Sequence, residues 1–154
     1  MEARALSREE VLAMVPQQAP FRFIDEIIEL SDTHVMGRYT FKPDESFYPG
    51  HFPGEPITPG VIMLESMCQV GVVALGIYIL AKELPPEEVV KYKTLFTDAQ
   101  VDFSGIVPPG TTVNIKAERV YWRRKKLRSK VEMSLTDGTV VASATVSGIG
   151  VKRD

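Results

Sequence analysis

The stretch GVIMLESMCQVGVVALGIYILA, residues 60 to 81, decides the fold, because it has helical length and is apolar on every side, with one carboxylate, Glu65. A helix without a polar face is one surrounded by its own protein. The segment is also the chain's one membrane candidate, since about 20 apolar residues cross a bilayer. Glu65, Ser66 and Gln69 near one end, and the lack of a strongly basic flank, speak against insertion. The helix therefore needs protein walls all around it.

Upstream, Pro59 is well placed to open the helix, because its missing amide would be unpaired in the first turn. Downstream, Pro85 and Pro86 stop it. From Lys42 to Pro59 the chain holds five prolines, which suit neither ladder nor helix interior, so this is an ordered loop. Earlier, Ser7 and Glu10 in LSREEVLAMVP have the spacing of a capping box, predicting a short helix ended by Pro16. FRFIDEIIEL and HVMGRYTF read as two strands around the turn-forming SDT. Beyond the long helix, YKTLFTDAQVDF, TTVNIKAERVYWRR, KLRSKVEMSLT and TVVASATVSGIGVK read as four more, the last two joined at the hairpin signal Asp137-Gly138.

One antiparallel sheet has an apolar face to cover, and one long helix needs walls. A curved sheet wrapped around the helix satisfies both, giving an α+β class. A single sheet cannot enclose a cylinder completely, so a second copy of the chain is expected to cover the remainder as a symmetric dimer. At 154 residues the whole chain, 1–154, fits one domain. A formal charge of −2 gives no general electrostatic attraction for nucleic acid. One cysteine, Cys68, excludes an intrachain disulfide and a multi-cysteine metal site, and suits a reducing compartment. The charged N-terminus lacks the apolar core of an export signal, so a cytoplasmic location is expected.

Four positions carry candidate chemistry. His51 stands in the proline-punctuated loop, which loses few conformations on folding and can hold an imidazole in place; a plain loop histidine is the alternative. Glu65 is either a side chain that escapes to an exposed patch or a carboxyl in an apolar pocket, with a raised pKa and a proton to give. Gln69 lies one turn further on the same face, able to orient that carboxyl or a water, or to serve as an ordinary interface glutamine. Gly60 has an amide in the first helical turn, without an intrahelical acceptor and at the positive end of the dipole, where a carbonyl oxygen gains negative charge more easily. Base, acid and oxyanion donor suit removal of a proton α to a carbonyl with departure of a β-hydroxyl as water. His34, at the start of a strand, is assigned no role.

The segment GHFPGEPITPGVIMLESMCQ resembles the active-site motif of the FabZ-type β-hydroxyacyl-acyl-carrier-protein dehydratases of fatty acid synthesis, roughly G-H-F-P-x-x-P-x-x-P-G-V-x-x-x-E-x-x-x-Q, and meets every fixed position of it. PQQAPFRFIDEI is similar to a second family segment through Pro16, Pro20, Phe21 and Asp25, and VDFSGIVPPGTTV to a third through Phe103, Val107, Pro109 and Gly110. The resemblance implies a hot-dog fold and a homodimer, or a trimer of dimers, with His51 facing the partner subunit's Glu65 across a tunnel. It implies that His51 takes the C2 proton of a (3R)-hydroxyacyl thioester, Gly60 stabilises the enolate-like carbonyl, Glu65 helps the C3 hydroxyl leave and Gln69 positions Glu65 or the water. The substrate would arrive on the phosphopantetheine arm of acyl carrier protein, with no other cofactor and no metal. Glutamate rather than aspartate at position 65 favours dehydration without isomerisation.

The chain departs from the family at Gln17, Gln18 and Ala19, where His-Arg-Tyr is common, and at Gln100 and Asp102, often basic. RRKKLRSK, with six cations in eight positions, is either a solvated hairpin corner or the substitute docking site for an acidic carrier. Two other functions remain in view: a hot-dog acyl thioesterase, and a non-catalytic module binding an acyl chain or carrier.

Overall fold

The computed structural model describes residues 2–153. Ser7 Oγ accepts from the Glu10 amide at 3.1 Å and Glu10 Oε1 accepts from the Ser7 amide at 3.0 Å. This capping box sets the start of α1, Arg8–Met14. Six strands follow in one sheet: β1 Glu26–Leu30, β2 His34–Thr40, β3 Tyr92–Phe103, β4 Thr112–Arg123, β5 Lys126–Leu135 and β6 Val140–Lys152. Their order is β1-β2-β4-β5-β6-β3, and every pairing is antiparallel. The long helix α2, Gly60–Leu80, lies against the inner face, where Val113, Ile115, Val131 and Met133 alternate with outward polar residues. This is the hot-dog arrangement, and it explains why α2 is apolar all round. The helix is long and apolar enough to cross a membrane, yet 61% of its most apolar window is buried within the protein.

Three local expectations need correction. The strand read at 21–30 begins only at Glu26, because Phe21 to Phe23 spend their backbone groups on α2 side chains instead of a ladder. The helix is not uniformly α: residues Gln69–Ala74 form a π segment. A Cβ on Gly71 would stand 2.7 Å from Val131, so the glycine lets this segment press onto β5, and the buried Ser129 hydroxyl donates to the Gly71 carbonyl at 2.7 Å. Finally, Pro86 does not only end structure. It opens a short helix α3, Pro86–Val89, with the proline at the position where a missing amide costs nothing.

The turns follow their residues. Gly138, with φ +93°, completes the β5–β6 hairpin at the expected Asp-Gly. At the β4–β5 tip two non-glycine residues, Arg124 and Lys125, take φ of 51° and 62°. The sheet's two edges differ in kind. The β1 edge has 5 residues and a bulge, and Arg8 donates to its Ile28 carbonyl. The β3 edge has 12 residues, pairs only with β6 among the described strands, and exposes Leu95, Phe96 and Phe103.

Candidate active site

The loop between β2 and α2 is held before any side chain of the site is considered. Glu45 at its start accepts from the Tyr39 hydroxyl and from the Lys42 amide. The amide of Thr58 at its end donates to the Val107 carbonyl at 3.0 Å. Between these anchors His51 is fixed twice by Ile57: the Ile57 amide donates to the His51 carbonyl at 2.9 Å, and His51 Nδ1 lies 2.9 Å from the Ile57 carbonyl. A carbonyl oxygen can only accept, so Nδ1 carries the proton and the lone pair of the neutral ring is on Nε2. The Phe52 ring stacks on the imidazole, centroids 4.3 Å apart, and is itself 51% exposed.

Pro59 caps α2 and Gly60 is its first residue, so the Gly60 amide lies in the first turn as expected. A Cβ there would meet the Phe103 ring at 3.0 Å, which makes the glycine a condition of the ring's close approach. Phe103, Val61, Ile106 and Phe52 are all large exposed apolar residues, 47%, 73%, 66% and 51% respectively. The Phe103 ring, at the end of the β3 edge, therefore lies against the start of α2, next to exposed Val61.

On α2, Gln69 is fully buried and every polar atom of its side chain is used. Its Oε1 accepts from the Phe23 amide at 2.7 Å, and its Nε2 donates to the Phe21 carbonyl at 3.0 Å and to Glu65 Oε2 at 2.9 Å. Ser66 Oγ donates to the Phe23 carbonyl at 2.7 Å, so segment 21–23 is stitched to the helix from both sides. Burial pushes the Glu65 carboxyl above the ordinary carboxylate range, opposed by the Gln69 bond. Glu65 is half-buried rather than fully exposed, the setting of an acid that keeps its proton at higher pH.

The structure brings Glu65 and Gln69 together and ties His51 to the segment that leads into Gly60. Within one chain His51 and Glu65 sit on separate elements, and no hydrogen bond joins them among the described residues. His34 lies elsewhere, on an open groove of about 550 Å³ across the outer sheet face with Lys116, Lys130 and Glu132. Among the described residues no three His, Cys, Asp or Glu side chains cluster as metal ligands. Sequence reasoning named Ser66 and Phe103 without giving either a place at the site, and passed over the buried pair Tyr48 and Thr58. The first two had a signal, an unexplained polar residue inside an apolar helix and an aromatic at a strand end.

Against known proteins, residues 15–145 match the family described as FabA-like domain. The 3-hydroxyacyl-acyl-carrier-protein dehydratase FabZ of Herpetosiphon aurantiacus is 33% identical over 138 residues, which cover 89% of this chain and 92% of that protein. Among solved structures, the dehydratase heterocomplex ApeI:P from Xenorhabdus doucetiae superposes with a TM-score of 0.75 at 21% identity, covering 97% of this chain and 93% of that one. A thioesterase from Haemophilus influenzae superposes with a TM-score of 0.67 at 11% identity, covering 98% and 94%. At such identities the two structures speak for the fold alone.

Proposed function

The chain belongs to the FabA-like family, and from that premise we propose that it removes water from (3R)-3-hydroxyacyl-acyl-carrier-protein to give the trans-2-enoyl thioester in fatty acid biosynthesis. It is a hydro-lyase. The observation that carries this reading beyond family membership is the Glu65 carboxyl, held by buried Gln69 and disposed to keep a proton, on the same helix whose first amide belongs to Gly60. His51 Nε2 takes the C2 proton as the electron pair moves to the carbonyl oxygen, where the Gly60 amide meets it. The pair returns to form the C2–C3 double bond, the C3–O bond breaks, and Glu65 gives its proton so that water leaves. The proton on His51 then replenishes Glu65 through solvent. The sum consumes no oxidant, and no cofactor beyond the carrier's own arm is required.

Two copies are needed in this reading, the whole chain acting as one hot-dog domain in each, in the cytoplasm. Antiparallel pairing of β3 with its copy would continue the sheet and cover Leu95 and Phe96. It would also bring the Tyr92 end of one subunit beside the Phe103 end of the other. That matters for carrier docking, because the basic corner at Arg123–Lys126 adjoins Tyr92 in its own chain, with Lys125 over the Tyr92 ring at 5.6 Å. Gly60 lies at the other end of α2, about 30 Å away for 21 residues. Lys126 and Arg128 share Asp98, whereas Arg123, Arg124, Lys125 and Lys130 have no carboxylate at ion-pair distance among the described residues. Those four are the docking surface, each copy serving the site at its partner's end. Reversing Arg124 and Lys125 to Glu is expected to raise KM for carrier-bound substrate far more than for a short thioester analogue. Equal effects on the two would remove the docking assignment.

The function itself is tested by supplying 3-hydroxyacyl and enoyl thioesters while following enoyl absorbance and free thiol together. Reversible hydration without thiol release is expected. Thiol release would mean a thioesterase, and neither signal a binding module.

A further inference from the structure

The loop carrying His51 is closed by a side-chain bond that the site described above does not use. Tyr48 lies three residues before His51 and Thr58 two residues before Gly60, and their hydroxyl oxygens are 2.6 Å apart. Both residues are buried, at 3% and 5% exposure. The amide of His51 donates to the Tyr48 carbonyl at 3.2 Å, so the backbone of the imidazole hangs from Tyr48 directly. Thr58 in turn is fixed to Val107 by its amide and leads through Pro59 into the helix. One hydroxyl pair therefore spans the base of the loop, with His51 on one strand of it and the Gly60 amide just beyond the other.

We propose that Tyr48 and Thr58 are positioning residues, their hydroxyl pair holding the His51 imidazole at a fixed separation from the Gly60 amide. Resting on the assignment of those two groups above, the inference adds what sets their geometry. The prolines stiffen the loop and the two His51–Ile57 bonds close it near its tip, while the hydroxyl pair is the side-chain bond that closes its base. A shared carbonyl substrate must meet the base at C2 and the amide at its oxygen simultaneously, so a small parting of the ends lowers turnover without removing either group. Burial also keeps the Tyr48 phenol protonated, its pKa being pushed up by desolvation, so the clamp does not open with pH in the working range.

Buried hydroxyl pairs allow a test that separates position from stability. Tyr48→Phe and Thr58→Val each strand a buried partner and are expected to lower the unfolding midpoint, whereas the double variant removes both hydroxyls and should recover most of it. If the pair positions His51, kcat on a short thioester stays down in the double variant by about tenfold to a hundredfold, with KM little changed. Thr58→Ser keeps a hydroxyl and should keep kcat. Recovery of kcat together with stability in the double variant would overturn the proposal, and so would loss in Thr58→Ser equal to that in Thr58→Val. His51→Ala is measured alongside: if it remains active, the assignment of the base falls as well, whereas an inactive His51→Ala beside a fully active double variant removes only the clamp.

Discussion

The two halves of the candidate site are built by different means. The helix half, Glu65 with Gln69, is fixed by buried side-chain bonds to a distant segment, Phe21 to Phe23, and every polar atom of Gln69 is engaged. The loop half, His51, is fixed by its own neighbours through Ile57, and its stacking partner Phe52 is half exposed. The helix half is held by bonds within one chain; the loop half carries the half-exposed Phe52 ring beside its imidazole. The difference teaches where each half is vulnerable: the first to loss of a buried partner, the second, if the site is shared between subunits as proposed, to loss of the neighbouring subunit.

The strongest way to break the comparison is to separate the halves genetically. His51→Ala and Glu65→Gln are each expected to lower kcat by roughly 10²- to 10⁴-fold, the range for loss of a positioned acid or base. If the site is shared between subunits, refolding the two inactive variants together restores activity, because each mixed dimer holds one intact His51 opposite one intact Glu65. Random pairing would return about a quarter of the wild-type sites. No recovery on mixing, with mixed dimers demonstrated, would place both groups of one site in one chain. Glu65→Gln should not weaken the fold at neutral pH. A carboxyl whose native pKa is raised contributes stability that is full below the unfolded value, about 4.3, and is lost as pH rises through the native value. The glutamine variant should therefore lack that decline with rising pH, measured by denaturant midpoints across the range.

Gln69→Leu attacks the helix half alone and is expected to cost about 2–4 kcal/mol, since the Phe23 amide and Phe21 carbonyl lose their partner at a buried site. It also removes the bond that draws the Glu65 pKa down, so the high-pH limb of the rate, where Glu65 has lost its proton, should move to higher pH. A limb that stays in place would mean that Glu65 is not the titrating acid.

How much of this the sequence disclosed depends on the range of the interaction concerned. The buried helix, most of the strands and the Asp137-Gly138 turn are written in local pattern; the motif likewise singles out His51, Glu65, Gln69 and Gly60, whose joint action is what the variants above test. The π segment was not legible, since it depends on Gly71 meeting β5 and on a Ser129 hydroxyl 58 residues away. Phe21 to Asp25 has the alternation of a strand, and nothing local says that Ser66 and Gln69 will claim its backbone. β3 follows α2 in the chain but pairs with β6, the last strand, and hairpin signals cannot disclose such a partner. Tyr48 and Thr58 were passed over because each alone looks like an ordinary loop residue; only their oxygens' proximity gives them a joint role.

The smallest expected effect sharpens the loop half. Gly54 has φ +78°, in a turn where Phe52 and Glu55 exchange backbone hydrogen bonds of 3.2 and 2.9 Å. An added Cβ would meet nothing within 4 Å, so Gly54→Ala imposes no clash and isolates the backbone term, about 1 kcal/mol for a left-handed residue. If the turn only closes the loop, the variant should lose that stability and keep its kcat. If the turn also sets the tilt of His51, whose ring stacks on Phe52, kcat should fall several-fold while KM holds. Comparing that fall with the one from Tyr48→Phe ranks the loop's own turn against the clamp at its base as the source of the imidazole's orientation.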